Sequence, residues 1–510
     1  MKRSLAFICA ALLVSQPAWG GARAEDAARY SQANFGEFLE LLSIENVADQ
    51  PQDLQRNAAF LERSLAKRGF TVRKLDNAAG RPLLYAQLGE PRRGLATVLF
   101  YIHFDGQPVL PETWSQPDPF EPVVKARDAS GQWRVVGRER LVSAPLDPEL
   151  RVYARSASDD KAPIMMLLTA LDMLQAEKGR TAVNVKLLLD PEEEAGSPHL
   201  GEIVRGHPAL FAADAMLVLD GPVHSSGKPT VVYGNRGITQ ATLTVFGPRA
   251  GLHSGHYGNY VPNPAQRLAA LLASMKDDEG RVTIAGYYDG VALSAADRAS
   301  LSSAPDDERA LLQRVGVARA ERVGGSYQEA LQYPSLNVRG MASAGVGAKA
   351  ANIVPSEAVA ELDLRTTPET DGRRLAELIR RHIEKQGYRL VDKAPTDQER
   401  AQHDKLASFK VGSVQAAQRT PLDAAVGRWA VQALRAPTAP QPGAEAVRIR
   451  MMGGTLPTDV LVEALRLPFV IVPTVNPDNN QHASDENLRI GNFVTGVETI
   501  YSLLTTPFAR

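Results

Sequence analysis

Cysteine is almost absent from this 510-residue chain, with Cys9 the only one. A single thiol excludes an internal disulfide and any thiolate cluster, so a bound metal must be held by histidine, aspartate and glutamate. Cys9 also sits in the apolar start of the chain, which excludes thiol catalysis by the folded part. Excess charge of either sign is missing too. There are 57 Lys and Arg against 58 Asp and Glu, with no basic run, so nucleic acid is excluded as an expected partner. No segment is long and apolar enough to cross a bilayer as a helix, and no membrane partner is expected. What remains is chain enough for about three average domains, or fewer large ones, with a sizeable core.

The N-terminus has its own pattern. Met1-Lys2-Arg3-Ser4, an apolar run from Leu5 to Val14 and small residues ending in Ala22-Arg23-Ala24 read as a signal peptide over residues 1–24. The expectation is an exported chain, periplasmic or secreted, cleaved after Ala24.

Four largely apolar runs stand out: Thr97–Ile102, Val183–Leu189, Ala215–Leu219 and Phe469–Val475. Each reads as a strand buried on both faces, as in a parallel sheet. Helical stretches separate them. Pro163–Lys178 follows the capping candidates Asp159 and Asp160, and about Pro421 to Arg435 ends before Pro437, Pro440 and Pro442. The expected class is therefore α/β with a mostly parallel sheet. The middle differs. Gly237–Val245 alternates like a half-exposed strand, followed by a helix near Asn263–Lys276, a strand at Ala358–Leu364, a helix at Asp371–Gln386 and a strand near Tyr388–Val391. That order suits a small α+β (ferredoxin-like) domain at 237–410, inserted between catalytic parts at 25–236 and 411–510. The polar stretch from Asp277 to Pro334 shows no pattern that places it.

Acidic and histidine-bearing segments fall at the C-terminal ends of the expected strands, the edge where open α/β sheets bind ligands. His103-Phe104-Asp105 puts two side chains on one side of a strand, where the Asp can fix the imidazole tautomer. Ser158-Asp159-Asp160-Lys161 precedes a helix; alone it reads as a cap, yet a carboxylate can also bridge two cations. Glu192-Glu193-Glu194 follows a buried strand, and adjacent carboxylates there repel unless a cation holds them together. Asp220 and His482 are ordinary loop residues if taken singly. Together these residues make a nitrogen and oxygen donor set suited to a hydrolytic zinc pair.

The chain resembles the zinc-dependent exopeptidase family of carnosinase, glutamate carboxypeptidase, aminoacylase and succinyl-diaminopimelate desuccinylase, the carnosinase-like dipeptidases above all. The shared pieces run in the family's order. They are Tyr101–Val109, Ser158–Lys161, Glu193–Ser197, Gly251-Leu252-His253-Ser254-Gly255, Asn352–Pro355, Asp363-Leu364-Arg365, Gly453-Gly454-Thr455-Leu456-Pro457 and His482. The resemblance implies two zinc ions per subunit, with cobalt or manganese as alternatives. His103 and Asp220 would hold one, Glu194 and His482 the other, and Asp159 would bridge them. Glu193 would be the general base and Asp105 would orient His103. In a homodimer, His253 would reach the partner's site from the inserted dimerisation or lid domain. Arg365, Gly454 and Thr455 would face the substrate, a small peptide or an N-acyl amino acid. A run from Lys125 to Leu150 reads as an insertion near the cleft. A deacylase using the same site, or a non-catalytic binding protein on this scaffold, are the rival readings.

Overall fold

The computed structural model describes residues 22–435 and 445–509. Cys9, most of the expected signal segment and the helix-ending Pro437, Pro440 and Pro442 lie outside the described residues.

The four apolar runs form strands Thr97–His103, Asn184–Asp190, Ala215–Val218 and Phe469–Ile471. They are the centre of an eight-stranded sheet. In spatial order it runs Phe70–Leu75, Leu83–Leu88, Asn184–Asp190, Thr97–His103, Ala215–Val218, Phe469–Ile471, Thr230–Val232 and Val447–Ile449. The central four are mutually parallel, while Leu83–Leu88 pairs antiparallel with Asn184–Asp190. Apolar side chains on both strand faces are explained by cover on both sides. One face packs on a core containing Phe38, Met166, Leu168 and Phe493, the other on Leu200, Phe211 and Leu461. The helix Lys161–Ala176 is apolar around nearly its whole circumference and is buried accordingly. It begins two residues before the expected start, and the side chain of Asp160 at its N-cap makes no capping hydrogen bond.

A separate five-stranded sheet orders Ser335–Ala342, Glu357–Thr366, Gly237–Phe246, Leu406–Gln415 and Arg389–Leu390. Gly237–Phe246 alternates buried and half-buried residues as its sequence pattern demands. Its buried side, with Ala241, Leu243 and Val245, packs under the helices Pro264–Ala273 and Gly372–Lys385. Asn263 and Asp371 cap those helices, accepting from Ala265 N and Arg374 N. Leu406–Gln415, with no strand expected there, pairs along Gly237–Phe246 across residue 410. The whole is thus an α/β unit with a mostly parallel sheet, joined to an α+β unit with helices on one face.

The stretch 277–334 carries three short helices, Ala295–Ser302, Glu308–Val315 and Tyr327–Ala330. Polar and at most eight residues long, they bury little, and none is long enough to show a helical stripe in the sequence. Overlapping the expected insertion, Val123–Arg127 and Trp133–Val136 form a hairpin of a four-stranded sheet with Arg151–Tyr153 and Asn487–Arg489.

Candidate active site and metal centre

Because the four central strands are parallel, their C-terminal ends open on one side. Thr97–His103 ends in His103, Asn184–Asp190 leads into Glu192-Glu193-Glu194, Ala215–Val218 leads to Asp220, and Phe469–Ile471 leads into the loop bearing His482. Asp159 stands between them. Its Oδ1 lies 3.0 Å from His103 Nε2 and its Oδ2 3.0 Å from His482 Nε2. Glu194 Oε2 is 3.3 Å from His482 Nε2, and Asp220 Oδ2 is 3.9 Å from His103 Nε2. The donor atoms fall into two groups, His103 with Asp160 and Asp220, and Asp159 with Glu194 and His482, each set lying within 4.8 Å.

The surrounding hydrogen bonds fix these positions. Asp105 lies 3.2 Å from His103 Nδ1, and it also accepts from the backbone N–H groups of Glu193 and Glu194 at 3.0 Å each. It therefore ties one strand end to the next. Glu192 is held elsewhere, by Arg81 at 2.8 Å and by His199. Gln107 donates to Glu194 Oε2 at 2.7 Å. Asp190 accepts from Tyr101 and Ser197 at 2.9 and 2.6 Å.

Glu486 is the side chain that sequence reasoning missed most clearly. Fully buried, it accepts on Oε2 from Arg155 Nη1 at 2.8 Å and from Ser156 N at 2.9 Å. Its Oε1 accepts from Ser158 N and Asp159 N, both at 2.9 Å. One carboxylate thus holds the turn that presents Asp159. Asp160 is a second, since its place just before a helix reads in the sequence only as a cap. The acidic pair Asp485-Glu486 close after His482 was the available signal for the first. Lys161, also fully buried, donates to the carbonyls of Leu41 and Ile44 at 2.9 and 2.6 Å and anchors the same turn from the other side.

Burial dominates the electrostatics. It pushes the carboxyls of Asp160 and Glu193 well above their usual range, helped by the neighbouring Asp220. Glu194 rises to about 8 and Asp220 to about 6, from burial and then from the charge of Asp159. Asp159 goes the other way: its burial is outweighed by hydrogen bonds from His103 and His482. His482 is raised to about 9, first by Asp159. Crowded buried acids of this kind are stabilised by cations placed among them. Both carboxylate oxygens of Asp160 are buried without a hydrogen-bond partner. The donor set, nitrogen and oxygen with no sulfur, fits a pair of divalent ions.

Of the expected substrate residues, Arg365 and Thr455 are brought together, Nη1 donating to Oγ1 at 2.7 Å. Gly454 sits beside them, its carbonyl accepting from Arg236 N at 3.1 Å. His253 is exposed in a short ladder with Ile353–Val354, its Nδ1 accepting from Gly255 N at 3.0 Å. It has no hydrogen bond with the cage among the described residues. His224 is half-buried, its Nε2 paired with Asp306 at 3.1 Å.

A parallel-sheet edge that gathers two His/carboxylate triads around one shared aspartate defines a metallopeptidase-type hydrolase. Residues 99–506 match peptidase family M20/M25/M40, and the chain belongs to that family. It is 26% identical over 443 residues to the Cys-Gly metallodipeptidase of Schizosaccharomyces pombe, covering 82% of this chain and 81% of the relative. To human Beta-Ala-His dipeptidase it is 24% identical over 516 residues, covering 95% and 93%. Among solved structures, the M20 metallo-carboxypeptidase of Sulfolobus solfataricus superposes with a TM-score of 0.74 at 25% identity, covering 92% of this chain and 98% of the other. The resemblance to carnosinase-like dipeptidases holds, and the chain is a metallopeptidase.

The expectation of export is corrected. The relatives spanning most of the chain include Cys-Gly metallodipeptidases of three yeasts, and the match carries no export with it. The helix Ala22–Leu42 also begins before the expected cleavage point and packs Ala27, Phe35 and Phe38 into the main core. A cut after Ala24 would fall inside that helix.

Proposed function

We propose that this metallopeptidase hydrolyses the amide bond of dipeptides with two zinc ions, one held by His103 and Asp220 with Asp160 beside them, the other by Glu194 and His482, with Asp159 shared. The observation that carries the reading is Asp159, whose two oxygens face His103 and His482 on opposite sides at 3.0 Å each. When bound, such ions polarise a carbonyl and lower the pKa of water. Glu193 takes the proton from the attacking water and returns it to the leaving amine, a task suited to a carboxyl whose affinity for protons burial has raised. Asp105 keeps His103 in one tautomer while tethering Glu193 and Glu194 through their backbone. Arg365, steadied by Thr455, grips the substrate carboxylate, for which a planar guanidinium is suited. Dipeptide substrates are favoured over N-acyl amino acids because the relatives are a Cys-Gly and a Beta-Ala-His dipeptidase. His253, exposed and outside its own cage, suits a homodimer in which it serves the partner's site.

The test is Glu193→Gln. It should keep two metal equivalents while kcat on a dipeptide panel falls about 10²- to 10⁴-fold. Turnover at the wild-type rate would remove Glu193 from the chemistry.

A further inference from the structure

We propose that a cavity beside Asp220 receives a bulky apolar side chain flanking the scissile bond, so that the enzyme favours leucine-, isoleucine- or phenylalanine-containing dipeptides over those of glycine and alanine. The inference rests on the dipeptidase reading and adds the class of substrate.

The cavity encloses 550 Å³, within the roughly 300–1,000 Å³ of ligand pockets. Asp220 lines it, so it opens directly from the group that includes His103. Its catalytic-side wall is made by Val223, Val232, Ile449 and Ile471, which belong to or adjoin the central sheet. Leu311 and Leu331 close the opposite side from the short helices of the stretch 277–334. Among its polar side chains, His224 and Asp306 are committed to each other. His224 Nε2 is paired with Asp306 Oδ1 at 3.1 Å, which also fastens the 277–334 stretch to the loop after Asp220. Asp307 caps its own helix by accepting from Ala310 N at 2.9 Å. Arg314 stands exposed. Gln328 contributes a buried Oε1 without a partner, which leaves room for one N–H or O–H donor, such as an indole. A volume this large is poorly filled by glycine or alanine, whereas a branched or aromatic side chain removes apolar surface from water on both walls.

The helix Glu308–Val315 buries none of its side chains fully, so it can be altered without opening the core. The experiment uses the full-length chain with added zinc. It compares kcat/KM for Leu-Gly, Phe-Gly, Gly-Leu and Gly-Phe with that for Gly-Gly, in wild type, Ala310→Trp and Leu311→Asp. In wild type the best bulky substrate should exceed Gly-Gly by about 10-fold or more. Both variants should lower that ratio about 10-fold, and a ratio taken within one preparation cancels any loss of folded enzyme. Calorimetric binding of free leucine against free glycine gives the same comparison without turnover. An unchanged ratio and unchanged leucine binding in both variants overturn the pocket assignment. Leucine binding that the variants weaken, with no dipeptide cleaved, would uphold the pocket and overturn the dipeptidase reading instead.

Discussion

Glu486→Gln is the most informative perturbation of the turn that carries Asp159. The change keeps shape and volume. The amide oxygen can still accept from Ser158 N and Asp159 N, as Oε1 does at 2.9 Å each. The amide NH₂ cannot accept, so Arg155 Nη1 at 2.8 Å and Ser156 N at 2.9 Å both lose their acceptor. Arg155 has a side chain only 3% exposed and Glu486 one that is 0% exposed, so water cannot replace what is lost. Removing one member of a buried ion pair costs about 3–5 kcal/mol. Part of this cost is released by moving the Ser156–Asp159 turn, and that displaces the carboxylate between His103 and His482. Groups that hold metal ligands in place typically contribute about 10- to 100-fold in metal affinity. The expected result is zinc binding weakened to that extent in chelator competition, together with a lower unfolding midpoint for the metal-free protein. Saturating zinc should restore much of kcat, because Glu486 touches neither substrate nor metal. If Glu486→Gln bound both ions as tightly as wild type and unfolded at the same midpoint, the reasoning about this turn would be refuted.

Two further outcomes are expected. If His253 acts across a dimer, mixing inactive Glu193→Gln with inactive His253→Ala and letting subunits exchange should restore roughly a quarter of wild-type activity, since mixed dimers keep one intact site; no recovery after verified exchange would place His253 outside the reaction. Glu498, on the helix Ile490–Thr505, is pushed from about 4.5 up to about 7 by burial against a smaller opposing effect of Arg23. The folded state then holds a proton that the unfolded state has released, so stability is lost as pH rises from about 4.5 through 7. Glu498→Gln should remove that loss and stabilise the protein at pH 8 by at most about 3 kcal/mol; identical pH profiles of unfolding for variant and wild type would count against it.

Much of this protein was legible along the chain. Largely apolar runs such as Thr97–Ile102 announce strands covered on both faces, since only such strands need no polar side. The strict alternation of Gly237–Phe246 announces a sheet with one dry face. His103, Asp220 and His482 could be picked out because each follows an apolar strand, where an α/β sheet exposes its ligand edge. Other features left no local trace. The helices of 277–334 are short and bury almost nothing, because they shield a cavity from solvent rather than fill a core. Leu406–Gln415 is buried only over Leu406–Phe409, with Lys410–Ser413 exposed, so its pattern fades where the strand continues.

What the sequence by itself determined was the four central strands of the main sheet, the donor chemistry without sulfur, and the order in which ligands arrive at the sheet edge. These follow from hydrophobic period and residue type, which are local properties. Only the tertiary structure decided which groups meet. It set Asp160 beside His103 and Asp220, committed Glu192 to Arg81 and His199, and brought Glu486 back across more than 300 residues to the Asp159 turn. A buried charge is tolerable only where its partners converge, and that convergence is a property of the packed chain that no stretch of it carries alone.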